Sequence, residues 1–104
     1  MIMSNCRDVL SWEECQQVSE FLQGFSNPVR LKVLCTLHDH EKSVGEIAAL
    51  LNAKPSNISQ QLKILMSRGY VSKRREERNV YYSIRSKEIY DLLEYLRLLA
   101  KEQT

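Results

Sequence analysis

Residues 43–69 read SVGEIAALLNAKPSNISQQLKILMSRG, and the fold turns on this stretch. Ser43-Val44-Gly45-Glu46 is a capping box, a hydroxyl and a glutamate three residues apart that satisfy each other's free amide groups. Val44, Ile47, Ala48 and Leu51 follow at i, i+3, i+4 and i+7, which predicts a short amphipathic helix ending near Asn52. Lys54-Pro55 opens a second helix, because proline is well tolerated at the first helical position. Its apolar side is Ile58, Leu62 and Leu65, with Met66 beside them. Its other side is Ser56, Gln60, Lys63 and Ser67, and Gly69 provides the stop.

A short helix, a tight turn and a helix with a polar outer stripe make a helix-turn-helix, whose second helix enters a DNA major groove. Ser56, Asn57, Ser59, Gln60, Gln61 and Lys63 carry hydrogen-bonding side chains suited to base edges or phosphates. No acidic residue lies between Lys54 and Tyr70 to repel a polyanion.

Beyond Gly69 the apolar period changes from helical to alternating. Tyr70-Val71-Ser72-Lys73-Arg74 reads as a strand, and Arg75-Glu76-Glu77-Arg78-Asn79 as a charged turn. Val80, Tyr82 and Ile84 share one face of a second strand. Lys73, Arg74 and Arg75 crowd the first strand and Arg78 stands at the tip, as in a wing that touches the minor groove or phosphates. The charge distribution agrees: residues 53–87 carry net +7, while residues 1–52 carry −3 and residues 88–104 carry −2. A basic block inside an acidic chain marks a polyanion-binding face.

Upstream, Ser11-Trp12-Glu13-Glu14 is another capping box. It precedes Cys15, Val18, Leu22 and Phe25 at helical spacing, with Phe21 beside them, so Cys15 is expected as a buried thiol. Asn27-Pro28 starts a helix carrying Val29, Val33, Leu34 and Leu37. That helix stops in His38–Lys42, where His38 and His40 read as a solvated turn. Downstream, Ser86 caps a last helix with Ile89, Leu92, Leu93, Leu96, Leu99 and Ala100. Tyr90, Tyr95 and Leu98 widen its apolar surface beyond one stripe, which predicts packing against a second copy.

The expected fold is therefore mainly α with a β-hairpin wing: a winged helix-turn-helix of five helices, in one domain over residues 1–104. Only 3 Gly and 2 Pro disfavour a turn-rich β fold, and no apolar run approaches the roughly 20 residues that span a bilayer. Met1–Leu10 has no apolar segment, so no secretory signal is expected and the cytoplasm is the default. The 3 cysteines are then expected as thiols. No phosphate loop and no Ser/His/Asp arrangement points to an enzyme, and no cofactor is called for.

Several segments together resemble the ArsR/SmtB family of winged-helix repressors. They are Arg30-Leu31-x-x-Leu34, Ser43-Val44-Gly45-Glu46-Ile47, Asn57-x-Ser59-x-x-Leu62-x-x-Leu65, Gly69-Tyr70-Val71 and Arg74-Arg75…Tyr81-Tyr82. The resemblance runs from about Phe21 to about Leu99. It implies a homodimer held by the first and last helices, with Phe21, Leu92, Leu96 and Leu99 in the interface. It also implies an inverted-repeat operator in double-stranded DNA and release by an effector.

Where arsenic- and cadmium-responsive members carry Cys-Val-Cys-Asp, this chain has Ser43-Val44-Gly45-Glu46. The last helix offers Asp91 and Glu94 but no histidine, unlike the zinc-responsive members, so no metal site is assigned. The sequence is more similar to the thiol-based branch that answers reactive sulfur or oxidants. Cys35 falls on that branch's first sensing cysteine. Lys101 stands where the second one normally lies, which leaves Cys15 or a small-molecule thiol as partner. Cys6 is read as incidental. The effector is thus a reactive sulfur species, an oxidant or a metal ion. The rival readings are an arsenic-, cadmium- or zinc-responsive repressor, and a dimeric protein-interaction module without DNA binding.

Overall fold

The computed structural model describes residues 9–103. Five helices and an antiparallel hairpin follow in the order α1 (Trp12–Leu22), α2 (Pro28–Thr36), α3 (Val44–Leu51), α4 (Pro55–Ser67), β1 (Val71–Glu76), β2 (Asn79–Ile84) and α5 (Lys87–Glu102). A 3-10 turn, Gln23–Phe25, joins α1 to α2.

Local chemistry sets the helix boundaries. Both capping boxes form: the Ser11 hydroxyl accepts from the Glu14 amide at 3.1 Å, and the Ser43 hydroxyl from the Glu46 amide at 3.2 Å. The Asn27 side chain caps α2 ahead of Pro28, and Ser86 caps α5. Asn52, left-handed at φ 52°, ends α3. Gly69 at φ 82° ends α4: its amide donates to Met66 O, and the Tyr70 amide reaches back to Leu65 O. That pair of bonds is a Schellman closure, which requires the left-handed residue glycine supplies.

The core lies where α2, α3, α4 and α5 meet the root of the hairpin. Val33, Leu34, Ile47, Ile58, Leu65 and Tyr70 are all fully buried there. Every apolar position of α4 named from the sequence packs on this core, Met66 only half-buried. Tyr82 and Ile84 of β2 pack on it as the alternating pattern requires.

The hairpin departs from the expected boundaries. Glu76 pairs with Asn79, so the turn is only Glu77-Arg78 and Arg75 lies inside β1. Two-residue connections match the natural twist of paired strands, and the ladder therefore extends through the charged residues. Glu77 takes the turn's left-handed position at φ 57°.

A second departure concerns α1. Cys15, Val18 and Leu22 are exposed, and α1 buries no residue of its own. Cys15 is therefore an exposed thiol rather than a buried one. The helix meets the rest of its own chain chiefly through Phe21, whose ring is 4.5 Å from that of Tyr70. Among the described residues, no helix is long and apolar enough to cross a membrane.

Candidate nucleic-acid interface

One face of α4 is anchored and the opposite face is open. Ile58, Leu62 and Leu65 lock the helix into the core, while Ser56, Asn57, Ser59, Gln60 and Lys63 are exposed. Lys54 at the N-cap makes no side-chain cap bond, so the positive end of the α4 dipole carries no capping acceptor. Gln61 differs from its neighbours. It is half-buried, and its Oε1 accepts from Arg30 Nη1 at 3.3 Å, while Arg30 Nε donates to Gly24 O at 2.8 Å. Gln61 thus ties α4 to the start of α2 rather than lying on the outward stripe.

In the wing, Lys73, Arg75 and Arg78 are exposed. Successive strand residues point to opposite faces, so Lys73 and Arg75 share one face and Arg74 takes the other. Each guanidinium nitrogen of Arg74 donates to a carboxylate. Its Nε and Nη2 donate to the two carboxylate oxygens of Glu41 at 3.1 and 2.6 Å, and its Nη1 donates to Glu76. Its guanidinium also lies 5.1 Å from the Tyr81 ring centre. Glu41, 33 residues away in the chain, gives no sign in the sequence that it pairs with Arg74.

The neighbouring Lys42 is buried, although its segment reads as a polar loop. Its Nζ donates to Thr36 O at 2.6 Å and to the Asp39 carboxylate, closing the C-terminal end of α2. Its backbone pairs in both directions with Tyr82, at 3.0 and 2.8 Å, and so adds a one-residue antiparallel bridge alongside β2.

One of the two histidines departs from the expected solvated turn. His38 stacks on Tyr90 of α5, with ring centres 3.8 Å apart and planes 10° from parallel. Its Nε2 is 3.2 Å from a Glu94 carboxylate oxygen but is not aligned for a hydrogen bond. His40 remains exposed beside Asp39. Aromatic stacking draws His38 inward because α5 passes beside the end of α2.

Cys35, exposed on α2, opens onto a cleft of about 480 Å³ between α2 and α5, lined by Leu31, His38, Leu93, Glu94, Leu96 and Arg97 among others. Partial burial pushes the Cys35 thiol above its ordinary value, and the nearby Lys32 charge offsets part of that rise. Cys15 opens onto a different surface, a shallow groove along α1 beside Trp12 and Gln16. Cys6 lies outside the described residues. Among the described residues, no group of three or more His, Cys, Asp or Glu is placed to hold a metal ion.

Of the remaining interface candidates, Leu92 and Leu96 are half-buried within their own chain, and Leu99 is 54% exposed. Tyr95 and Leu98 beside it, and Trp12 and Leu22 on α1, are exposed as well.

Residues 27–73 match the family model described as bacterial regulatory protein, arsR family. The transcriptional activator HlyU of Vibrio cholerae is 38% identical over 78 residues, covering 75% of this chain and 72% of HlyU. The chain belongs to the ArsR family. A Synechocystis protein named transcriptional repressor SmtB homolog is 36% identical over 85 residues, 82% of this chain, and this chain spans 64% of its length. Among solved structures, a homodimeric winged helix-turn-helix DNA-binding domain from Mycobacterium bovis superposes with a TM-score of 0.79 at 28% identity. It covers 91% of each chain. As an ArsR-family member the chain is a DNA-binding transcriptional regulator and not an enzyme, and its fold is the winged helix-turn-helix.

Proposed function

We propose that the chain is a repressor that binds an inverted-repeat operator in double-stranded DNA as a homodimer and lets go when Cys35 is modified. The observation that carries the DNA reading is the open face of α4, free of acidic residues and anchored to the core by its opposite side. Gln60 and Lys63 sit one turn apart on it and reach base edges. Ser56, Asn57 and Ser59, nearer the helix N-terminus, meet bases and phosphates. Lys73, Arg75 and Arg78 of the wing meet flanking phosphates. The dimer forms through the uncovered apolar faces of α1 and α5, as the homodimeric state of the Mycobacterium bovis neighbour supports.

Release uses thiol chemistry in the α2/α5 cleft, where Cys35 is exposed. The Cys35 thiolate attacks a disulfide or persulfide sulfur and expels the other half as a thiol. Its partner is Cys15 or a small-molecule thiol. Selection of duplexes from a random pool with the purified chain, followed by binding at several salt concentrations, tests the first part. The reading requires one enriched inverted repeat and a steep fall of affinity with salt. Binding after treatment with persulfide, oxidised thiol, arsenite, cadmium or zinc tests the second. A thiol sensor loses its response in Cys35→Ser, and a metal sensor answers only to the ions.

A further inference from the structure

The α2–α3 connection reaches the wing at two points and α5 at a third. Glu41 grips Arg74 through both carboxylate oxygens. Lys42 pairs by backbone with Tyr82, and its side chain is held at the end of α2. His38, at the start of the same segment, is stacked on Tyr90. A two-stranded hairpin has little stability alone, so its angle against the rest of the molecule depends on such attachments. Three donors of the Arg74 fork are already spent on carboxylates, which leaves a poor phosphate ligand.

We propose that Glu41 and Arg74 are positioning residues for operator binding: a strut that fixes the wing relative to α4, with Arg74 turned away from the DNA backbone. The inference rests on the DNA-binding reading above. The phosphate-facing cations of the wing are Lys73, Arg75 and Arg78. The Arg74 hydrogen bonds hold the Glu41 carboxylate below its ordinary range, which favours its charged form.

The sign of the effect separates this role from simple electrostatics. Removing a negative charge near DNA raises affinity for every duplex, whereas removing a strut lowers affinity for the operator. Binding of the full chain to the selected duplex and to an unrelated duplex is measured across a salt series for Glu41→Gln, Arg74→Gln and the double variant. Thermal melts check that each variant is folded.

Each single variant is expected to lose about five- to tenfold in operator affinity, and the double variant no more than either, because both changes remove one strut. The salt slope for Arg74→Gln stays at the parent value, while Arg75→Gln lowers it by about 0.9 per lost phosphate contact, or about 1.8 for a dimer. The proposal is overturned if Glu41→Gln binds the operator as well as the parent or better. It is equally overturned if Arg74→Gln lowers the slope as Arg75→Gln does, or if the two single losses add. Failure of the parent chain to enrich any duplex sinks the DNA reading itself, a distinct result.

Discussion

The ring of Tyr70 passes so close to Gly24 that a β-carbon on that glycine would stand 2.3 Å from Tyr70 Cε2. The contact is where the 3-10 turn after α1 closes over the fully buried Tyr70. Gly24→Ala therefore forces backbone or ring to shift and is expected to destabilise by about 1–3 kcal/mol. Urea unfolding measures it. An unchanged midpoint contradicts the close approach.

Exposed apolar residues of α5 set the assembly prediction. Leu96 packs on its own chain's core, so a charge there harms folding and dimerisation together. Leu99 separates the two, being 54% exposed in the isolated chain. Leu99→Glu is expected to leave a folded helical protein that sediments as a monomer, because the charge would be buried unpaired in the seam. A stable dimer carrying Leu99→Glu places the interface elsewhere.

The hydrogen bond from Lys42 holds the carboxyl of Asp39 down to about 2. An unfolded aspartate titrates near 3.9, so the unfolded chain binds more protons than the folded one between about pH 4 and pH 2. The stabilisation is complete above that window and is lost as pH falls through it. Asp39→Asn is expected to flatten the acid limb of stability between those values, as read from urea midpoints at pH 5, 4, 3 and 2. Equal acid sensitivity in both proteins removes this pair from the account.

Burial raises the Cys35 thiol and Lys32 opposes the rise. The thiolate is the reactive form. Cys35 is therefore expected to alkylate more slowly at pH 7 than a small-molecule thiol, to speed up as pH rises, and to slow further in Lys32→Gln. Mass-spectrometric timing of iodoacetamide addition decides it. Fast alkylation at pH 7, indifferent to Lys32, contradicts the burial argument.

Helices were readable because their signals are local. Ser11, Ser43 and Ser86 cap the helices that their spacing marks, and Gly69 closes α4. The outward face of α4 followed from the same periodicity, since Ile58, Leu62 and Leu65 had to face inward. What escaped depends on residues distant in sequence. Arg74 looks like any other wing cation until Glu41 is brought to it across 33 positions. Gln61 is one residue from the polar stripe, and only Arg30 reveals that it points inward. His38 reads as loop until α5 supplies Tyr90. The hairpin turn is shorter than the sequence suggests because charged residues look like loop, whereas ladder pairing carries them into strand. Cys15 sits on an apolar stripe that the single chain does not cover.

The central claim is that α4 reads DNA, and the most direct measurement is operator affinity of the Gln60→Ala/Lys63→Ala double variant at fixed salt. Both side chains are exposed, so the fold should survive their loss. A good base contact is worth about 1–3 kcal/mol, so the account predicts a loss of at least tenfold on the selected duplex. Affinity for an unrelated duplex should fall far less. An operator affinity equal to that of the parent would contradict the assignment of α4 as the reading helix.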